Sequence, residues 1–358
     1  MKFYMPTKLY SENKCVEKHS EELAALGSHA LIITGMNSSR ENGSLNDVIS
    51  ALERHTVKYT IFDRTEENPS IETVMAARNK GLECEANFVI GIGGGSPLDT
   101  AKAVSLMMKN SDKTWEFLYE NTLAESLPIA AVPTTCGTGS EVTGVAVLTR
   151  HDIKTKLSAK HKIFPNLALI DGKYLLNAPR KIIVNTAIYA LAHLIESAVN
   201  TCADVYSDMS VFSGLSMWKK CRPYINGSKE LNAEIAQLLM DTATQAGISI
   251  AQTGTTIPHS LSYMLTYNAG IPHGAAVGAF QSKYLKYTEK ERRNAVLSAA
   301  GFNNTDELGE FITSLAPVSC DSELLEKSAE AVMKNMAKLA LCPYEITETI
   351  MSDIITLM

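Results

Sequence analysis

Val89-Ile90-Gly91-Ile92-Gly93-Gly94-Gly95-Ser96-Pro97-Leu98-Asp99-Thr100-Ala101-Lys102 reads as an apolar strand running through three consecutive glycines into a helix. Glycine tolerates positive φ and lets a ligand approach the backbone. A helix start offers unpaired N–H groups and the positive end of a dipole to an anion such as a pyrophosphate. Ser96 is placed to cap that helix, Pro97 suits its first position, and Asp99 completes an S-x-x-D capping pattern. A tight strand-to-helix turn without a ligand has the same local pattern, so the surroundings must decide.

Upstream, HALIIT (29–34) and KYTIF (58–62) are short apolar runs separated by amphipathic stretches, and PIAAVPTT (128–135) follows downstream. Alternation of this kind predicts a parallel sheet covered by helices. A second polar, glycine-bearing turn, PTTCGTGSE (133–141), follows the next strand. It would lie beside the first at the carboxyl edge of the sheet, where α/β proteins form a ligand crevice. TGVAVLT (143–149) and TKLSA (155–159), joined by a turn at His151 and Asp152, predict a hairpin at the sheet's edge, and LALID (167–171) a further short strand. From about residue 181 the period becomes helical, as in NTAIYALAHLIESAVN (185–200) and ELNAEIAQLLMDTATQAGISIAQ (230–252). The pattern predicts an α/β domain over 1–180 and an all-α domain over 181–358, with function in a cleft between them.

Composition narrows the possibilities. A chain of 358 residues with 45% hydrophobic and 20% charged residues has enough apolar material for a sizeable core. A net charge of −6 argues against a nucleic-acid partner, which calls for basic patches. No apolar run is long enough for a membrane span, and MKFYMPTKLYSENK lacks the apolar stretch of a signal peptide, so the expectation is a cytoplasmic protein. Seven cysteines without C-x-x-C spacing fit reduced thiols rather than a disulfide frame or a zinc ribbon.

GGGSPLDTAK (93–102), PTTCGTGSEVT (133–143), AQTGTTIPHSL (251–261) and GIPHG (270–274) together resemble the iron-containing alcohol dehydrogenases, in that family's order and spacing. The likeness begins at FYMPTKLY near the N-terminus and is nearest to the propanediol and butanol dehydrogenases. The resemblance implies a dehydroquinate synthase-like fold: an N-terminal dinucleotide-binding α/β domain, a C-terminal helical domain, and a divalent metal that polarises the oxygen of a small alcohol or aldehyde. It implies that Gly93, Gly94, Gly95, Ser96 and Asp99 hold the pyrophosphate and nearby groups, that Thr134, Thr135 and Thr138 line the other side, and that Lys156 reaches the ribose.

The metal ligands implied by the resemblance are an Asp and a His four residues later on one helix, and two further histidines fourteen residues apart. This chain keeps His193, His259 and His273 but has Tyr189 where the Asp belongs. Three neutral imidazoles suit iron or zinc, and a tyrosine could ligate as phenolate or simply fill the vacated space. His259 and His273 would serve the reaction through the metal. Tyr263, four residues beyond His259, is a candidate proton relay or a packed aromatic.

After HALIIT the chain offers Gly35-Met36-Asn37-Ser38-Ser39-Arg40 in place of the acidic residue that commonly holds the ribose of NAD. Gly35 amides with Asn37, Ser38, Ser39 and Arg40 can donate to a 2′-phosphate, which favours NADP, with NAD the alternative. The expectation is an NAD(P)-dependent oxidoreductase acting on small alcohols and aldehydes. The rival is a nucleotide-binding homologue whose metal binding is impaired at Tyr189. Lys154, Lys156, Lys160, His161 and Lys162 form a basic run that either attracts an anionic aldehyde or is a solvated face. The edge hairpin and the resemblance favour a homodimer.

Overall fold

The computed structural model describes residues 3–357. One compact unit spans residues 5–178 with 232–240, and a second spans 179–231 and 241–357 with residues 3–4. The expected division at 180/181 departs from this in two respects: residues 3–4 belong with the helical unit, and the start of the helix Ala233–Thr253 belongs with the α/β unit. There the Gly172 N–H donates to Oε1 of Gln237 at 2.8 Å.

The α/β unit is built on β1 (Lys8–Ser11), β2 (His29–Thr34), β3 (Lys58–Phe62), β4 (Phe88–Gly93), β5 (Ile129–Pro133) and β8 (Leu167–Ile170), in the order β1-β8-β5-β4-β2-β3. Every pairing is parallel. The strands β4 and β5 are buried along their whole length, as strands covered on both faces must be. Alternation sorts their side chains. Ile32, Ile90, Val132 and Leu169 pack on one face with Leu45, Val48 and Leu52. Ile33, Val89 and Ile129 pack on the other with Val74, Val104 and Met107.

Two expectations are corrected. β6 (Val147–Arg150) and β7 (Thr155–Ser158) do form an antiparallel hairpin, but it is a separate two-stranded sheet. The edges of the main sheet are β3 and a strand the pattern did not predict, β1. The hairpin therefore lends no support to a dimer formed through the edge of the main sheet. The helix after the glycines is Gly95–Lys109 with Gly94 at its N-cap, so Ser96 does not cap it. The Ser96 hydroxyl instead accepts from the Asn68 N–H at 3.1 Å.

The second unit is helical. Its helix Arg180–Ala198 is buried almost continuously from Val184 onward. The short helix His273–Gly278 sits against it at two glycines: a Cβ on Gly274 would lie 2.1 Å from the Asn185 carbonyl oxygen, and one on Gly278 would lie 2.5 Å from Ile188 Cγ2. Among the described residues no helix is long and apolar enough to cross a membrane. Among the described residues no cysteine is in a disulfide, and Cys15, Cys136, Cys221 and Cys342 are buried.

Candidate functional site

In the α/β unit, β4 ends at Gly93 with φ +143°, a conformation side chains rarely adopt. The two turns foreseen at the carboxyl edge do meet. A Cβ on Gly94 would lie 3.1 Å from Thr135 Oγ1, and one on Gly95 would lie 2.8 Å from Thr138 Cγ2. The Thr134 N–H extends the β4–β5 ladder by donating to the Gly93 carbonyl at 2.9 Å.

Asp99 is placed beside this turn, but its carboxylate is engaged within the protein. It accepts from Ser140 Oγ at 2.5 Å and from the Val147 N–H at 2.9 Å. Lys102, one turn along and fully buried, donates to Ser140 Oγ at 2.6 Å, Thr143 Oγ1 at 3.2 Å and the Val145 carbonyl at 2.8 Å. Burial pushes its ammonium below the usual lysine range, opposed by the charges of Asp99 and Glu141. Helix Gly95–Lys109 and the segment 138–147 are thereby fastened together.

Lys156 is buried and donates to Asn68 Oδ1 at 2.8 Å. Burial lowers its pKa to about 8, against the opposing charges of Asp99 and Glu67. Asn68, which the sequence reading passed over, sits at φ +58° and joins Ser96, Lys156 and Thr149. The basic run is dispersed: His161 is buried against the Phe117 carbonyl, while Lys154 and Lys160 are exposed. At the end of β2, Met36, Asn37, Ser38 and Arg40 are exposed. Ser39 is wholly buried and its hydroxyl accepts from Thr34 Oγ1 at 2.6 Å, which removes it as a surface donor.

In the helical unit, Tyr189 and His193 lie one turn apart on helix Arg180–Ala198, as their spacing requires. His259 comes from helix Ile257–Ala269, and His273 begins its own helix. The four rings gather: the Tyr189 centroid is 4.1 Å from His193, 5.4 Å from His259 and 4.9 Å from His273. The His259 centroid is 4.7 Å from that of His193 and 5.8 Å from that of His273. Tyr263 stacks on His273 at 5.7 Å. The Nδ1 of His273 lies 3.2 Å from Ser262 Oγ and 3.4 Å from Thr266 Oγ1.

In this cluster sequence reasoning missed Glu196. It is fully buried, and Oε1 lies 2.6 Å from His259 Nδ1 and accepts from Gln281 Nε2 at 2.8 Å. Oε2 accepts from the Thr256 N–H at 2.7 Å and hydroxyl at 2.8 Å, at the start of the helix that bears His259. Burial alone would raise its pKa, but the pairing with His259 and the bonds from Thr256 outweigh it and hold the carboxyl at about 2. Against an ionised Glu196, Nδ1 of His259 carries the proton. The buried Nε2 has no hydrogen-bond partner. A carboxylate-backed imidazole with its other nitrogen bare is the form taken by metal-ligating histidines. Yet among the described residues no group of three or more His, Cys, Asp and Glu side chains is arranged to hold a metal ion. Tyr189, placed among the three imidazoles, contributes a phenol where the resemblance calls for a carboxylate.

Comparison with known proteins agrees with the fold. The chain is 26% identical to the NADPH-dependent butanol dehydrogenase of Clostridium saccharobutylicum, covering 88% of this chain and 82% of that one. The iron-containing alcohol dehydrogenase of Thermotoga maritima superposes with a TM-score of 0.91 at 33% identity, covering 99% of this chain and 98% of that one. A 1,3-propanediol oxidoreductase shares the fold at a TM-score of 0.86 and 20% identity, over 99% and 98% of the two chains. Residues 6–172 match the description "Iron-containing alcohol dehydrogenase" and residues 183–353 match "Fe-containing alcohol dehydrogenase family, C-terminal". The chain belongs to the iron-containing alcohol dehydrogenase family.

Proposed function

We propose that this protein is an NADP-preferring oxidoreductase that interconverts a small alcohol and its aldehyde by hydride transfer. The observation that carries this reading is the His259 imidazole, fixed on one nitrogen by Glu196 and bare on the other inside a buried polar cluster. The glycine turn suits a dinucleotide pyrophosphate, because it leads β4 into the N-terminus of helix Gly95–Lys109, and glycine at 94 and 95 lets the backbone pack close against Thr135 and Thr138. Gly93, Gly94, Gly95 and Ser96 would hold that group, with Thr134, Thr135 and Thr138 alongside and Lys156 toward the ribose. Asp99 would act by positioning the neighbouring segment. Gly35, Asn37 and Ser38 would face the adenosine end, and the absence of a carboxylate from 35–40 supports NADP over NAD.

In kind and number the imidazoles of His193, His259 and His273 fit a divalent iron or zinc ion, with Tyr189 at the remaining position. Such an ion supplies Lewis acidity to a carbonyl oxygen. The chain's own part is orientation: Glu196 fixes the His259 tautomer, and Ser262 and Thr266 restrain His273. Tyr263, stacked on His273, is the candidate proton relay. Cysteines outside any disulfide suit a cytoplasmic setting, and a homodimer belongs to the same reading.

A second reading is favoured by Tyr189 and by the lack of an assembled ligand set: a nucleotide-binding homologue with impaired metal binding and little dehydrogenase activity. Elemental analysis of purified protein, with NADPH oxidation measured on a panel of aldehydes, separates the two. Bound metal with turnover supports the first, and neither metal nor turnover supports the second.

A further inference from the structure

Strands β4, β2 and β3 are neighbours and end at the same edge of the sheet. The glycine turn follows β4, the 35–40 turn follows β2, and Asp63 follows β3. Pairing of Ile33 with Phe62 brings Thr34 beside Asp63, and the Thr65 N–H donates to the Thr34 carbonyl at 3.3 Å. A dinucleotide with its pyrophosphate on the glycine turn extends its adenosine across the end of β2. With Ser39 buried and engaged, Arg40 is the cation of that turn. Its Nη2 lies 2.9 Å from Oδ2 of Asp63, and both side chains are about half exposed, at 53% and 41%.

We propose that the Arg40–Asp63 ion pair sets the dinucleotide preference: Arg40 binds a 2′-phosphate, and Asp63 is the counter-ion that competes for it. This rests on the glycine turn as the dinucleotide site. An exposed ion pair holds weakly, so its guanidinium can exchange one carboxylate for a phosphate that carries more charge and accepts two parallel hydrogen bonds. Asp63 therefore limits NADPH affinity while leaving NADH affinity unchanged. The carboxylate absent from the 35–40 turn is supplied from the neighbouring strand and neutralised by Arg40.

The test is fluorescence titration of NADPH and NADH into the full chain, as wild type, Arg40→Ala, Asp63→Asn and the double variant, each checked by circular dichroism. Arg40→Ala should weaken NADPH about tenfold, equivalent to about 1.4 kcal/mol, and leave NADH within about twofold. Asp63→Asn should tighten NADPH by about threefold to fivefold without affecting NADH, and the gain should vanish in the double variant, as expected for coupled neighbours. An unchanged NADPH-to-NADH ratio in Arg40→Ala overturns the proposal. So does weaker NADH binding in Asp63→Asn, which would make Asp63 a ribose acceptor. A wild type that prefers NADH refutes the NADP reading alone, because the Asp63→Asn shift toward NADPH is still required. Failure of both dinucleotides to bind refutes the glycine-turn site and this proposal with it.

Discussion

Glu196 and His259 form a buried pair: the carboxylate Oε1 lies 2.6 Å from the imidazole Nδ1, and neither side chain is more than 3% exposed. The pair ties helix Arg180–Ala198 to helix Ile257–Ala269.

Removing the charge should be costly. In Glu196→Gln an amide must face His259 Nδ1, Gln281 Nε2 and the Thr256 donors, and its NH₂ group opposes at least one of them. A loss of about 2–3 kcal/mol is expected from a buried donor left unsatisfied beside a broken charge pair, and more in Glu196→Ala. Urea unfolding measures it. Unchanged stability in both variants would show that the pair is structurally idle.

At Tyr189 a carboxylate should increase metal binding. Tyr189→Asp adds an anionic oxygen ligand beside His193, His259 and His273, so metal per chain should rise, and turnover should rise with it if the native protein is incompletely loaded. His259→Ala in the same background should cancel both gains. Elemental analysis of the native, single and double variants is the check. Equal metal content in all three would show that the histidines are not ligands.

The glycine turn should not accept a side chain. Gly94→Val places its Cβ 3.1 Å from Thr135 Oγ1 and forces that side chain to shift within the turn proposed to hold the pyrophosphate. Dinucleotide binding should weaken by at least about a hundredfold, or about 2.7 kcal/mol, with the far-ultraviolet circular dichroism unchanged. Normal binding would place the phosphates elsewhere.

Lys156 gives a pH signature. Its folded pKa of about 8 is below the usual 10.5, so between these values the unfolded chain holds more protons and stability rises with pH. Below pH 8 the cost of burying the ammonium is present in full. Lys156→Met should therefore stabilise the protein at pH 7, by on the order of 1 kcal/mol after the lost Asn68 hydrogen bond is offset. That advantage should shrink as pH approaches 10.5. Thermal midpoints of both proteins across this range decide it, and a constant difference would contradict the assignment.

The strands at 29–34 and 58–62 were legible residue for residue: the first, buried from Ala30 onward, reads as an unbroken apolar run, and the second, a half-buried edge strand, is marked by its aromatic and β-branched residues. β1 was not, since KLYS (8–11) offers only four residues, two of them polar, and its partner lies more than 150 residues away. The hairpin was legible as a hairpin, but alternation does not say which sheet a strand joins. The gathering of Tyr189, His193, His259 and His273 followed from spacing and resemblance, whereas Glu196 was overlooked as an ordinary helical glutamate. Its signal was present. It stands three residues after His193 in a helix apolar all round, where a carboxylate has no water to face and must find donors. The partners of Asp99 were hidden for the opposite reason, because Ser140 and Val147 come from a segment forty residues later.

The fastening of helix Gly95–Lys109 to the segment 138–147 by Asp99 and Lys102 bears on how fast a dinucleotide arrives. Two turns that hinge independently would have to find their closed arrangement at each encounter, and association would slow accordingly. Here both sides of the cradle are clamped to one helix by a buried cation and a carboxylate, so the landing surface exists before the ligand does. If the glycine turn holds the dinucleotide as proposed, its capture should need no prior closing of the two turns, and selectivity between dinucleotides should then lie in their rates of escape.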